Sequence, residues 1–166
     1  MYRAFLGLGS NLGDRMQFLQ RAVDAIAVLG CIGRASLIYE TEPVGMMSTH
    51  PFYNMAVELQ TELCPAELFK QLEKIERKLG RSAATHLKDR EIDMDILLYE
   101  DYYFEDTSLE VPHPQLAERR FALMPLDEIA AEATHPVSGE TVRQLLNQCP
   151  DASAVTKTKL KITLPT

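Results

Sequence analysis

Apolar and polar residues alternate through Glu91-Ile-Asp-Met-Asp-Ile-Leu-Leu-Tyr99, where Ile92, Met94, Ile96 and Leu98 are interleaved with Asp93 and Asp95. A period of two predicts a strand with both carboxylates on one face, roughly 6–7 Å apart. Tyr2 to Leu8 reads as a buried strand closed by Gly9-Ser-Asn-Leu-Gly13. Asp14 then supplies an N-cap for a helix whose apolar positions Phe18, Leu19, Ala22, Val23, Ile26 and Leu29 recur at helical spacing, with Gly30 as its stop. Residues 34–41 are expected to be extended, Pro43 to Pro51 to form a loop, and Phe52 to Leu59 a strand. Pro65 opens a second helix with Leu68, Leu72, Ile75 and Leu79 on one face and Gly80 at its end. After the polar stretch 81–90 and the Asp93/Asp95 strand comes a short extended piece at Leu109 to Val111. Phe121 to Ala131 and Thr141 to Gln148 read as helices. The weak alternation after Asp151 leaves two readings, an added strand or a loose end.

The order strand–helix–strand–strand–helix–strand predicts an α+β, ferredoxin-like sandwich, an antiparallel sheet with helices packed on its faces, the two helices of that order on one face. At 166 residues a single domain, 1–166, is expected.

A formal charge of −7 argues against general nucleic-acid or anionic-membrane binding. A nucleotide stays open, because a divalent cation and a few arginines reverse the field within one cleft. Cys31, Cys64 and Cys149 show no C-x-x-C spacing, which favours a reducing compartment without structural zinc. With neither a signal-peptide pattern nor a long apolar span, a cytoplasmic location is expected.

Two carboxylates on one face of an apolar strand repel each other. Either they sit on a solvated edge, or they hold a divalent ion, and oxygen donors in such small number suit Mg²⁺. Arg90, directly before the strand, tips the balance towards the ion, since a cation beside a carboxylate pair is what phosphate handling requires. Arg81 and Lys88 before it, and Arg119 and Arg120 after it, add further cations. His113 is fixed in direction by Pro112 and Pro114, and reads as either structural or catalytic. Phe52 and Phe121 are either core residues or two faces for a flat heterocycle. Gly7-Leu-Gly-Ser-Asn-Leu-Gly13 fails the dinucleotide fingerprint at its third glycine and reads as a tight turn packed near the cleft.

Taken together, Gly9-Ser-Asn-Leu-Gly13, Tyr39-Glu-Thr41, Phe52-Tyr-Asn54 and Ile75-Glu-Arg-Lys-Leu-Gly-Arg81 resemble the 6-hydroxymethyl-7,8-dihydropterin pyrophosphokinase family of folate biosynthesis. Asp89-Arg-Glu-Ile-Asp-Met-Asp-Ile-Leu-Leu98, Val111-Pro-His-Pro114 and Arg119-Arg-Phe-Ala-Leu-Met-Pro-Leu126 extend the resemblance. It implies a ferredoxin-like fold and transfer of pyrophosphate from ATP to the pterin hydroxymethyl group, with release of AMP. By the same resemblance, Asp93 and Asp95 hold two Mg²⁺. Arg81 and Arg90 neutralise the transferring group, while His113 and Arg119 contact ATP phosphates, and Glu76 and Ile96 belong to the nucleotide side. Phe52 and Phe121 sandwich the pterin, whose edge is read by Asn54 and by the backbone at Thr41 and Val44. Asp95 is the hypothesised proton acceptor. The expected partners are ATP and the pterin, without nucleic acid or membrane, and the chain is expected as a monomer.

Several positions depart from the commonest family pattern. His86-Leu-Lys-Asp-Arg90 stands where many members carry Arg-Trp-Gly-Pro-Arg, Phe52 where some have Tyr, and Pro114 where an aromatic is frequent. None removes a carboxylate or either key arginine. Two rivals remain: a non-catalytic ferredoxin-like binding module, which needs no ordered arginine–carboxylate set, and another Mg²⁺-dependent nucleotidyl enzyme, which has no use for the Phe52/Phe121 pair.

Overall fold

The structure, a computed structural model, describes residues 1–42, 50–80 and 91–165. In chain order, β1 (Tyr2–Ser10), α1 (Arg15–Ile26), β2 (Cys31–Ala35), β3 (Tyr39–Thr41), β4 (Phe52–Thr61), α2 (Pro65–Lys78) and β5 (Asp93–Tyr99) carry the expected alternation, with the second strand broken into β2 and β3. The break falls at Ser36, whose amide donates to the Ala56 carbonyl while its hydroxyl accepts from the Ala56 N–H at 2.9 Å. A short hairpin, β6 (Phe104–Glu105) with β7 (Glu110–Val111), leads to α3 (Arg120–Ala130) and α4 (Val142–Gln148), and β8 (Val155–Lys157) closes the chain. The main sheet runs β5–β1–β4–β3–β8, with β2 also on β4, and every pair in it is antiparallel. Of the tail, Val155–Lys157 is an added strand on β3, while residues 151–154 and 158–165 carry no strand.

Alternation along the strands sorts the core into two layers. Leu6, Leu8, Met55, Val57, Met94 and Ile96 turn to the face covered by α1 and α2, which bury Leu19, Val23 and Ile26, and Leu68, Leu72 and Ile75. The helix starts follow their sequence signals: the Asp14 carboxylate accepts from the Gln17 N–H at 3.1 Å, and Glu67 accepts from the Cys64 N–H at 3.0 Å. Phe5, Ala56 and Leu97 face the other way and pack against Leu116, Leu123, Leu126, Val142 and Leu145. Helices thus cover both faces. The sequence order had placed only α1 and α2, on one face; α3 and α4 follow the last long strand and take the second.

Glu128 ties these layers together on the second face. Its carboxylate accepts from the Tyr39 hydroxyl at 2.7 Å and the Leu37 N–H at 3.0 Å, and lies 3.5 Å from the Lys157 ammonium. Glu128→Ala leaves a part-buried hydroxyl without its acceptor and the exposed Leu37 amide to water. A loss of about 2 kcal/mol is expected, seen as a fall of roughly 4–8 °C in Tm by calorimetry.

Candidate active site

β1 brings the site's parts into register. Gly9 pairs with Asp93 on one side and Asn54 on the other, and Gly7 pairs with Asp95 and Ala56. At the usual strand spacing, Asp93 and Asn54 stand about 10 Å apart across a floor of bare glycine backbone. The glycines are required there by close approach. A Cβ on Gly9 would lie 2.5 Å from Asn54 Oδ1 and 3.4 Å from the Phe52 ring, and one on Gly7 would lie 3.2 Å from the Leu97 side chain. The expected tight turn therefore begins later: Gly7 and Gly9 are strand residues, and of the glycines in that motif only Gly13, with φ 71°, needs the left-handed conformation.

On the pterin side of the expected site, the Asn54 amide is buried and donates to Thr41 Oγ1 at 2.6 Å, so β3 and β4 lock its orientation. Phe52 lies on the same face of β4, against the Gly9 position.

The opposite wall depends on an irregularity in β5. The β1–β5 register shifts between Phe5 and Leu6, which skips Leu97 and lets its carbonyl accept from the His113 N–H at 3.0 Å. His113 Nδ1 accepts from the Gln115 N–H at 3.1 Å, which leaves Nε2 to carry the proton, 4.0 Å from Asp95 Oδ1. Burial, with the Arg119 charge adding to it and Asp93 opposing, pushes this imidazole down to about 4, so near neutral pH it is an uncharged donor. Arg119 is steadied by the Gln115 side-chain oxygen, and its guanidinium carbon lies 5.5 Å from the centre of the Phe121 ring. Asn54, Asp93, Asp95, His113, Arg119 and Phe121 line one cleft with Gly7 and Gly9.

Two expected nucleotide-side residues, Glu76 and Ile96, are buried and do not line this cleft. Glu76 is buried and accepts from the Met94 N–H at 3.0 Å, bracing β5 from α2. Ile96 points into the α1/α2 core, so any contact it makes with a nucleotide comes from its main chain. Val44, Arg81, Lys88 and Arg90 lie outside the described residues. Sequence reasoning placed the Gly7–Gly13 backbone near the cleft, where Gly7 and Gly9 are found, but missed that these two are strand residues forming its floor, although their spacing of two inside an apolar strand was a usable signal. It also missed Gln115, which nothing local marks.

Asp93 and Asp95 fit a hard cation. Both are carboxylates, they share the cleft face of one strand, and the nearby imidazole is neutral. Among the described residues no cluster of three or more His, Cys, Asp or Glu forms a complete metal cage. A site with two protein carboxylates, filled out by water and phosphate oxygens, is the Mg²⁺ pattern.

Fold and cleft together define a ferredoxin-like α+β protein with a paired-carboxylate site opposite a buried amide and aromatic rings. The sequence profile of the 7,8-dihydro-6-hydroxymethylpterin-pyrophosphokinase family matches residues 5–131, and the chain belongs to that family. It is 42% identical over 131 residues to the 2-amino-4-hydroxy-6-hydroxymethyldihydropteridine pyrophosphokinase of Bacillus subtilis, covering 78% of each chain. With the Aquifex aeolicus protein of the same name it shares 35% identity over 144 residues, 87% of this chain and 90% of that one. The folic acid synthesis protein fol1 of Pneumocystis carinii is 34% identical over 148 residues, which are 89% of this chain but only 20% of the fungal one. Among solved structures, wild-type Plasmodium falciparum HPPK-DHPS with SDX-DHP has the same fold, with a TM-score of 0.72 at 18% identity over 89% of this chain and 44% of that one. The chain thus spans most of its bacterial relatives but less than half of the fungal and Plasmodium proteins. No helix among the described residues is long and apolar enough to cross a membrane.

Proposed function

We propose that this chain transfers the pyrophosphoryl group of ATP to the hydroxymethyl group of 6-hydroxymethyl-7,8-dihydropterin, releasing AMP. The observation that carries the proposal is the row Asp93–Gly9–Asn54, which sets a carboxylate site and an amide reader on one open floor, within a chain of this family.

ATP is the co-substrate of the family reaction. Asp93 and Asp95 would hold Mg²⁺, two ions in the fullest form, and the bound ion would supply positive charge against the phosphates. The His113 Nε2–H and the Arg119 guanidinium bind phosphate oxygens on the same side. Arg81 and Arg90 are proposed to join them, as charges that strengthen on the transferring group. Phe52 and Phe121 stack on the pterin ring, while Asn54, Thr41 and the Val44 main chain recognise its hydrogen-bonding edge. The hydroxymethyl oxygen attacks the β-phosphorus, the bond from that phosphorus to the α-phosphate bridging oxygen breaks, and AMP leaves with the electron pair. Asp95 takes the hydroxyl proton.

Incubation with ATP, Mg²⁺ and the pterin is expected to yield AMP in equal amount to pterin diphosphate, with no AMP when pterin is omitted. ADP, or no product, rejects the proposal. Chelation of divalent ions is expected to lower the rate at least about a hundred-fold, with recovery on adding excess Mg²⁺.

A further inference from the structure

We propose that Asp151, in the tail, is a positioning residue for the pterin side of the cleft, holding the start of α3 that presents Phe121. The inference rests on the function proposed above. The profile match ends at residue 131, so the segment concerned lies beyond the matched span.

The first turn of α3 is weakly held from within. Pro125, inside the helix, has no N–H to donate to the Phe121 carbonyl. The Arg119 carbonyl is shared by the Ala122 and Leu123 amides at 3.1 and 3.0 Å. No side chain of its own N-cap residue, Arg119, caps the helix. The Arg120 N–H, one of the unsatisfied donors of any helix start, is instead bound by Asp151 Oδ2 at 3.1 Å. That carboxylate is itself aimed: its Oδ1 accepts from the Ser153 N–H at 2.9 Å and the Ser153 hydroxyl at 2.6 Å. Arg120 stands between Arg119 and Phe121, both of which line the cleft.

The same segment grips the other pterin-side element. The Ala154 N–H donates to Glu42 at 2.8 Å, and Val155 pairs with Thr41, the partner of the Asn54 amide. Residues 151–155 therefore connect the aromatic wall on α3 to the hydrogen-bonding edge on β3 and β4. A flat substrate gripped between those walls is sensitive to their relative placement, whereas ATP also has His113 and the cation that Asp93 and Asp95 would hold, none of them on α3.

Steady-state kinetics on the full chain test this. Asp151→Ala is expected to raise the pterin KM roughly five- to ten-fold, with kcat within about two-fold and a smaller rise in the ATP KM, of about two-fold, through Arg119. Asp151→Asn, which keeps an oxygen for the Arg120 N–H, recovers a large part of that rise. Arg143→Ala serves as a structural control: it breaks the paired bonds to Asp127 at 2.7 and 3.0 Å on the same helix, and is expected to lower Tm without moving the pterin KM. Ser153→Ala keeps the carboxylate but loses one bond that aims it, and gives a smaller rise, which decides the matter if Asp151→Ala does not fold. The proposal is overturned if Asp151→Ala, or Ser153→Ala in its place, leaves the pterin KM unchanged, or if Arg143→Ala raises it equally. A wild-type chain that makes no pterin-dependent AMP overturns instead the function on which the inference rests.

Discussion

Asp95→Asn is expected to lower pterin-dependent AMP formation at least about a thousand-fold at saturating substrates, with Tm within a few degrees of wild type. The substitution keeps the shape of the side chain and one oxygen, so the strand, its pairing with Gly7 and the bulge at Leu97 persist. What disappears is one negative charge of the pair on the cleft face, and with it a hard anionic donor and the proposed seat for the hydroxyl proton. Asp93→Asn is expected to be nearly as severe, and the double variant little worse than either, because the two carboxylates act as one unit. Single-turnover measurement of AMP, at Mg²⁺ concentrations raised until the rate stops responding, separates weak metal binding from lost chemistry. Normal turnover by Asp95→Asn under those conditions would eliminate it as the proton acceptor.

Gly9→Ala should be the most damaging single-methyl change on the substrate side. The added Cβ would sit 2.5 Å from Asn54 Oδ1, and the Asn54 amide is pinned at its other end by Thr41. Oδ1 is the end of a short side chain whose amide nitrogen Thr41 holds, so relieving the clash requires the amide to rotate away, breaking that bond and leaving polar atoms unpaired in a buried place. A site built to hydrogen-bond a substrate edge loses discrimination steeply when its reader is displaced. A rise in pterin Kd of roughly a hundred-fold is expected, measurable by calorimetry, together with a stability loss of about 2 kcal/mol. ATP binding, proposed for the other side of the glycine floor, is expected to stay within about three-fold of wild type. Equal loss for both substrates would mean that the cleft as a whole had collapsed.

Periodicity exposed the parts of this protein that depend on one segment at a time. The alternation around Asp93 and Asp95, the apolar stripes of α1 and α2, and the rigid prolines about His113 were legible because each is a local pattern. The assembly was not. That Asp93 meets Asn54 through Gly9 is a matter of strand register, which is set by partners far away in the chain. Ile96 and Asp95 are neighbours in sequence, yet strand alternation sends the Ile96 side chain into the core while Asp95 borders the cleft. The bulge at Leu97, which aims His113, arises from a shift against β1 and leaves no residue-level mark. The tail alternates too weakly to announce a strand; pairing with β3 gives it one. The stretch 81–90, in which the chain departs most from the family's usual residues, lies outside the described residues and keeps its sequence-based expectation alone.

The bare backbone at Gly7 and Gly9 also bears on inhibition. An inhibitor that draws its affinity from a side chain can be evaded by replacing that side chain. One pressed flat against main chain at these two positions faces a surface with few substitutions open to it, since even a methyl group would crowd Asn54 or Leu97. Escape from such a compound should come from the cleft's rim, and resistance selections should return changes around Arg119 and Phe121 before any at the floor.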